Sequence, residues 1–227
     1  MRGKALFATS ALVLVCAAVA QAGFIVEPDI DKADNGVLVW SPNFSFGNGQ
    51  TTASQSVAGV ALGLTGGDSI FGGNSTTKDQ YIYSYTPGLN ADNATFTAGA
   101  DLGNGNFATG LVGGASGPYR VYATWPSTKN ISAETIATNY QVTSDGALVE
   151  TNLLQDEDVN GDLVGDKWVL LGTVQLTAGH TYQVIQTAPD SAYVSMRASG
   201  VMWEVVPEPG SISLLALGAL GLLCRRR

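Results

Sequence analysis

The chain has 227 residues and a formal net charge of −8, and only 13% of its residues are charged whereas 28 are glycine. Between Gly23 and Val206 there are 18 acidic and 6 basic side chains. A protein that binds nucleic acid or anionic lipid needs Lys and Arg side chains to neutralise phosphate groups. The acidic central region is therefore not expected to bind either partner. The two cysteines of the chain, Cys16 and Cys224, lie in apolar terminal segments. The central region therefore has neither a disulfide framework nor a catalytic cysteine.

The first 22 residues predict a secretory signal peptide. A basic start at residues 1–4 precedes an almost unbroken apolar run over residues 5–20, and small residues follow at Ala20 and Ala22. A run that is apolar around all faces differs from the striped pattern of a packed surface helix. We therefore predict a signal-peptide helix that signal peptidase removes just before Gly23.

Three features follow one another at the C-terminus. A Pro-Glu-Pro tripeptide precedes an apolar run over residues 211–224, and the chain stops at three arginines; the residues are Pro207, Glu208, Pro209, Arg225, Arg226 and Arg227. Residues 207–227 resemble the PEP-CTERM sorting signal of Gram-negative bacteria, which implies that an exosortase recognises the tripeptide and removes the tail. The apolar run is marginal for spanning about 30 Å of hydrocarbon, and the arginines would stay cytoplasmic. We expect a short hydrophobic helix that anchors the protein transiently in the inner membrane before it reaches the cell surface.

Short strands between turn residues predict an all-β fold for the central 184 residues, which suffice for one core. The pattern is weak over residues 23–78, where one short strand is predicted at 37–40, and clear over residues 79–206. The strands predicted there are 81–85, 95–97, 119–125, 139–143, 147–151, 168–176, 180–187 and 193–206. Their regular spacing indicates a β-sandwich or jelly roll, to which residues 23–78 contribute further strands and loops.

Four strand landmarks carry a second resemblance. They are YRVYATWP at 119–126, WVLLGT at 168–173, AGHTYQV at 178–184 and VMW at 201–203. In kind and order they resemble the golvesin and xanthan lyase C-terminal-like domain. The resemblance implies a galactose-binding-like jelly roll over residues 79–206, with a carbohydrate-binding or cell-surface adhesive role.

An acidic insertion, DEDVNGDLVGD at residues 156–166, departs from that family pattern. Oxygen-bearing side chains at alternate positions followed by a glycine form the first half of a calcium loop. The candidate ligands are Asp156, Asp158, Asn160, Asp162 and Asp166. Lys167 occupies the position of the expected last acidic ligand, so the segment is not an EF-hand. A structural calcium site and a solvated acidic loop both remain open.

Aromatic side chains are the usual stacking platforms for sugars, but most of these occur inside predicted strands. Trp125, Trp168 and Trp203 are expected in the core, where a buried ring contributes apolar area. Tyr83 and Tyr193 lie near strand ends and are the better surface candidates. Asn130, in the loop after Trp125, could add an amide hydrogen bond. These three residues form the predicted ligand-binding set.

Catalytic motifs are sparse. His180 is the only histidine, no G-x-S-x-G segment accompanies it, and no glycine-rich stretch contains G-K-S/T. A glycoside hydrolase needs only two carboxylates and is not excluded by sequence. We therefore predict a non-enzymatic exported module that associates with extracellular polysaccharide. The alternatives are a structural or adhesive matrix protein with protein partners and, less well supported, a secreted polysaccharide hydrolase.

Overall fold

A computed structural model describes residues 21–72, 76–127, 138–145, 147–155, 165–188 and 196–207. These ranges contain fifteen strands in chain order. They are β1 (Gln21–Val26), β2 (Phe44–Phe46), β3 (Ser54–Ala58), β4 (Asp68–Gly72), β5 (Gln80–Tyr85), β6 (Ala94–Thr95), β7 (Asp101–Gly103), β8 (Asn106–Phe107), β9 (Gly117–Thr124), β10 (Thr138–Ser144), β11 (Ala147–Gln155), β12 (Val169–Leu176), β13 (Tyr182–Thr187), β14 (Met196–Ala198) and β15 (Gly200–Val205).

The fold is built on two antiparallel five-stranded sheets. The strand order is β12-β9-β15-β1-β6 in the first sheet and β11-β10-β13-β5-β2 in the second. A three-stranded sheet, β14-β4-β3, and the β7-β8 hairpin complete the described structure. The predicted all-β class is confirmed. The early strands β1 and β2 pair with β15 and β5, so residues before position 79 contribute to both large sheets.

The main core contains side chains from both large sheets. Phe24 of β1 stacks on Tyr85 of β5 with ring centroids 4.8 Å apart, and Tyr85 lies 5.5 Å from Trp203 of β15. Burial of such large rings supplies much of the apolar area that drives folding. Trp125, Trp168 and Trp203 are each almost fully buried, as the sequence predicts.

The first sheet is covered on both faces. Its second face packs in a smaller cluster that includes Ile25, Tyr122, Trp168 and Met202, together with Phe96, which directly follows β6. Trp168 Nε1 donates to Leu62 O at 2.8 Å, which ties another loop to this face. Strand β15 is consequently buried at five consecutive positions and does not alternate.

The second sheet has one buried face and one half-buried face. In β5 and β13 every second side chain is buried, which is the period-two pattern of a sheet with a single core face. The buried set in β5 is Tyr81, Tyr83 and Tyr85. The residues between them point away from the core.

Two of the strands predicted from the sequence differ from the structure. Residues 37–40 form no strand; Ile30 N donates to Val39 O in a loop, and Trp40 makes only an isolated bridge to Asp29. The predicted strand at 193–206 is interrupted at Ser199, because β14 pairs with β4 whereas β15 pairs with β9 and β1. A change of partner at this point divides one apolar run between two sheets.

The terminal predictions fall mainly outside the described residues. Ala20 and residues 208–227, including the predicted C-terminal helix, are not among them, whereas Ala22 and Gly23 lie in β1. Within the described ranges, no helix is long and apolar enough to cross a membrane.

Candidate functional site

The outer face of the second sheet brings together side chains that can form hydrogen bonds. On β5 these are Gln80 and Ser84, and on β13 they are Gln183 and Thr187; all four are half-buried. Strand pairing places Gln80 opposite Thr187 and Ser84 opposite Gln183. We call the face formed by Gln80, Ile82, Ser84, Gln183, Ile185 and Thr187 the amide face.

Two hydrogen-bonded pairs flank an apolar centre on the amide face. Gln80 Nε2 donates to Thr187 Oγ1 at 3.1 Å, and Gln183 Nε2 donates to Ser84 Oγ at 3.4 Å. Between these pairs, Ile82 lies directly opposite Ile185. Residues two apart on a strand are separated by about 6.8 Å, so each polar pair lies about that far from the isoleucine pair.

The amide face has the chemistry required to bind a neutral, hydroxyl-rich ligand. A glutamine amide has two N–H donors and an acceptor oxygen, so each glutamine keeps further hydrogen-bonding capacity after contacting its neighbour. A sugar ring likewise presents hydroxyls that donate and accept, and C–H groups that can pack on isoleucine. The face is therefore compatible with a carbohydrate chain lying across β5 and β13.

The strands that form and flank the amide face are uncharged. Strands β2, β5, β10 and β13 contain no acidic or basic residue and no histidine, although the chain carries 19 acidic residues. Half-buried Asn139 and Gln141 on β10 and exposed Ser45 on β2 continue the polar character to both sides. A ligand lying across these four strands would meet no charged side chain from them.

The structure corrects the predicted surface position of Tyr83. This side chain is fully buried, and its hydroxyl donates to Gln186 Oε1 at 2.9 Å. It lies on the correct strand but on the core face, because it has the same strand parity as Tyr81 and Tyr85. The other predicted ligand-binding residues, Asn130 and Tyr193, lie outside the described residues.

The amide face was missed by sequence reasoning, although the alternation that reveals it is visible. Three tyrosines at alternating positions identify the inward face of β5, so Gln80, Ile82 and Ser84 must face outward. The pairing of β5 with β13 cannot be deduced from this pattern. It is this pairing that places Gln183 and Thr187 beside them.

A second surface feature is a cavity of about 370 Å³ on the first sheet. Phe107, Arg120, Leu170 and Pro207 contribute to its lining. Phe107 is 55% exposed, and Arg120 Nη1 donates to its carbonyl oxygen at 3.5 Å. The cavity therefore combines an exposed ring and a guanidinium beside Pro207, the first residue of the Pro-Glu-Pro tripeptide.

Hydrogen bonds fix the end of β15, the strand that leads to this cavity. Thr109 Oγ1 donates to Val205 O at 2.8 Å, and Val206 N donates to Pro118 O at 2.9 Å. Buried Glu204 accepts the Thr109 N–H at 2.6 Å, and burial raises the pKa of the Glu204 carboxyl. The fold is thus continuous up to Val206, directly before Pro207.

The predicted calcium loop is mostly outside the described residues. Of its candidate ligands, Asp166 alone is placed; Asp156, Asp158, Asn160 and Asp162 are not. The Asp166 carboxylate accepts Ser127 N–H at 3.2 Å, and burial raises its pKa. Across the described ranges, no group of three or more His, Cys, Asp or Glu side chains is arranged to hold a metal ion.

His180 lies on the surface beside a turn. Its Nδ1 is 2.9 Å from Asp145 Oδ2, and both side chains are more than half exposed. The hydrogen bond from His180 lowers the pKa of Asp145. Asp145 adopts a positive φ of 48° in the turn between β10 and β11, where the sequence predicts a hairpin.

The end of the chain matches a protein-family model for the PEP-CTERM protein-sorting motif, over residues 205–227. This chain carries a PEP-CTERM sorting motif. The prediction made from the Pro-Glu-Pro tripeptide and the arginine tail is thereby confirmed, and the motif indicates an exported protein that is sorted to the cell surface. Comparison with the curated proteins finds no match.

Several solved β-sandwich structures are similar to this fold. A family 35 carbohydrate binding module from Clostridium thermocellum is 10% identical with a TM-score of 0.42, over 82% of this chain and 99% of that chain. Paenibacillus xanthan lyase is 18% identical with a TM-score of 0.43, over 84% of this chain but 14% of the lyase. The K1 cleaved adhesin domain of Lys-gingipain from Porphyromonas gingivalis W83 is 12% identical with a TM-score of 0.37, over 82% and 99%. At these identities the likeness concerns the fold alone.

Proposed function

We propose that this protein is an exported, non-catalytic cell-surface or matrix component whose amide face associates with extracellular polysaccharide. The observation that carries the proposal is the arrangement of Gln80, Ser84, Gln183 and Thr187 around an isoleucine pair on an uncharged sheet face. The sorting motif supports delivery of this face to the place where such a polysaccharide occurs.

The amide face suits an extended polymer better than a small buried ligand. It is a half-buried sheet face, so binding energy would come from repeated weak contacts along a chain. Each hydrogen bond exchanged with water contributes about 0.5–1.5 kcal/mol. Several such contacts together would give a low-affinity interaction that multiple sugar units strengthen.

The sorting signal adjoins the folded module directly. Val205 ends β15 and Pro207 begins the Pro-Glu-Pro tripeptide, so Val206 alone separates them. In this proposal an exosortase acts on the motif while the following apolar segment holds the protein transiently in the inner membrane of a Gram-negative cell. The module would then reach the surface with little chain between it and the processing point.

The acidic insertion at residues 156–166 stays a separate calcium prediction. Its five carboxylates repel one another unless they are solvated or bind a cation, and extracellular modules use calcium sites with dissociation constants of about 10⁻⁴ to 10⁻³ M. In this proposal calcium would be structural and would not take part in chemistry.

Affinity electrophoresis tests the proposed binding. The exported protein and a Gln80→Ala/Gln183→Ala variant are run through gels that contain extracellular polysaccharide. The polysaccharide is taken from the cells that produce this protein. A Thr173→Ala/Gln175→Ala variant is the matched control, since both positions are exposed on β12 of the other sheet. We expect retardation of the wild type and control and much weaker retardation of the amide-face variant.

Two results would favour the alternatives. Normal migration in every polysaccharide, together with specific capture of a surface protein, would support an adhesive matrix protein instead. Release of reducing ends from the polysaccharide by pure protein would support a secreted hydrolase.

A further inference from the structure

The cavity beside Pro207 contains a guanidinium with spare hydrogen-bonding capacity. Arg120 is half-buried on β9 and lines this cavity. Its Nη1 donates to Phe107 O at the long distance of 3.5 Å, and the guanidinium also interacts with the hydroxyl of Tyr122, whose pKa burial raises to about 12. Both of these partners are neutral. Because a guanidinium has five N–H donors, Arg120 can bind a further group that accepts several hydrogen bonds.

Glu204, which lies opposite Arg120 in β15, does not pair with this charge. Glu204 is fully buried, and its two oxygens accept from Thr109 N at 2.6 Å and from the Tyr122 hydroxyl at 3.4 Å. Among the described residues, no carboxylate forms an ion pair with Arg120. The cavity therefore retains a positive charge, which favours an anionic group that can take two hydrogen bonds from the guanidinium.

The other walls of the cavity are partly apolar. Phe107 is 55% exposed and Leu170 is 37% exposed, so both present apolar surface. The volume of about 370 Å³ lies near the lower end of the range for ligand sites, roughly 300–1,000 Å³. Such a site fits a short segment that carries a carboxylate beside apolar side chains.

The chain itself brings such a segment to the cavity. Pro207 lines the cavity, and the residue before it is fixed by the bond from Val206 N to Pro118 O at 2.9 Å. Consecutive Cα atoms are about 3.8 Å apart, so Glu208 starts next to the cavity wall. Glu208 is also the only charged residue between positions 207 and 224. With no linker to span, its carboxylate has a high effective concentration at Arg120.

We infer that the Arg120 guanidinium binds the Glu208 carboxylate and that Pro209 packs against Phe107. The folded module then holds the Pro-Glu-Pro tripeptide in the cavity. An exosortase needs the same tripeptide, so the cavity and the enzyme compete for it; this second step rests on the proposed function. The fraction of molecules with a free tripeptide sets the apparent affinity of the enzyme. The contact therefore slows the processing of the folded protein.

Urea unfolding of the exported chain with its tail intact tests the contact. At pH 7.5 in mild detergent, the wild type is compared with Arg120→Gln, Glu208→Gln and the double variant. We expect a coupling of about threefold to tenfold in the unfolding equilibrium constant, between the values for an exposed ion pair and for a charged hydrogen bond. Glu208→Gln alone should lower the urea midpoint, which keeps the test valid if Arg120→Gln does not fold.

Lys167→Gln combined with Glu208→Gln is the matched control. Lys167 is exposed and does not line the cavity, so the effects of these two substitutions should add. If the effects of Arg120→Gln and Glu208→Gln also simply add, the inference is overturned.

Pulse-chase labelling in the producing cells tests the competition. Arg120→Gln leaves the tripeptide itself unchanged, so it does not alter the sequence that the enzyme recognises. We expect this variant to lose its tail about threefold to tenfold faster than the wild type, because more of its tripeptide is free. Arg120→Lys keeps the charge but not the planar fork and should lie between the two. Lys167→Gln should match the wild type.

The outcomes separate the contact from the proposed function. Unchanged processing of Arg120→Gln would overturn the competition. Slower processing would overturn it too and would indicate that the cavity receives the sorting enzyme instead. If no protein loses its tail, the wild type included, the proposed exosortase step is contradicted, and the urea cycle still decides whether Arg120 holds Glu208.

Discussion

The side-chain amide of Asn93 binds both backbone groups of Ile25. Ile25 N donates to Asn93 Oδ1 and Asn93 Nδ2 donates to Ile25 O, each at 2.7 Å. Asn93 N also donates to Gly23 O at 3.0 Å. One side chain thus continues along β1 the pairing that β6 makes with Gln21 and Gly23, on the edge opposite β15.

Replacing Asn93 by Asp should destabilise the fold. The carboxylate cannot donate to Ile25 O, and the loss of this part-buried hydrogen bond costs about 0.5–1.5 kcal/mol. Urea unfolding measures the loss. Asn48→Asp is the control, because exposed Asn48 makes a single bond to Lys78 O and its loss should change stability by less than about 0.5 kcal/mol. Equal stability of the two variants would show that Asn93 does not support β1.

The mature protein should begin at Gly23. Cleavage there removes Gln21 and Ala22 from β1 but keeps the pairing of residues 24–26 with β15. N-terminal sequencing of the exported protein checks the position. Because the peptidase requires small residues three and one before the cut, Ala20→Glu should accumulate precursor whereas Gln21→Glu should not. Normal processing of Ala20→Glu would refute the predicted cleavage site.

Stability should fall as the pH rises from about 4.5 to 7, in part because of Glu27. Burial raises the pKa of Glu27 from 4.5 to about 7, although its carboxylate accepts the Thr65 N–H at 3.0 Å. The folded state therefore holds a proton that the unfolded state has lost in this range, and the associated stability is complete below pH 4.5 and lost through pH 7.

Glu27→Gln should flatten this part of the pH profile, measured as Tm in buffers from pH 4 to 8. Asp145→Asn provides the control, because the pKa of Asp145 is lowered from its ordinary value of 3.8 and its contribution to the pH dependence therefore lies below this range. A Glu27→Gln profile parallel to that of the wild type would exclude Glu27 as a source of the slope.

Gly110 should tolerate alanine less well than Gly105. Both have positive φ, 68° and 76°, so alanine costs about 1–2 kcal/mol at either position. At Gly110 a Cβ would also lie 2.6 Å from Ala98 N, whereas nothing is within 4 Å at Gly105. Gly110→Ala should therefore lower the urea midpoint more than Gly105→Ala does. Similar midpoints would mean that the chain near Ala98 moves aside easily.

Sequence patterns predicted local structure well where one face is buried. The alternation around Tyr81, Tyr83 and Tyr85 predicted β5, and the turn at Asp145 predicted the β10-β11 hairpin. The same alternation places Tyr83 on the core face with Tyr81 and Tyr85, which conflicts with the surface position predicted for it.

Long-range pairing set the limit of sequence reasoning. Nothing local to Ser199 indicates that β14 and β15 join different sheets, and nothing near Asp29 indicates that it binds Asp68 N 39 residues later. The first sheet is also buried on both faces, so period-two alternation disappears in β15. The amide face depends on the pairing of β5 with β13 and is likewise a product of tertiary structure.

Calorimetric titration of the exported protein with oligosaccharides cut from the producing cells' extracellular polysaccharide tests the central claim most directly. We predict saturable binding that Gln80→Ala/Gln183→Ala weakens about tenfold or more, since each lost hydrogen bond contributes about 0.5–1.5 kcal/mol. The Thr173→Ala/Gln175→Ala control should bind like the wild type. Binding that is equally strong in all three proteins would contradict the assignment of the amide face.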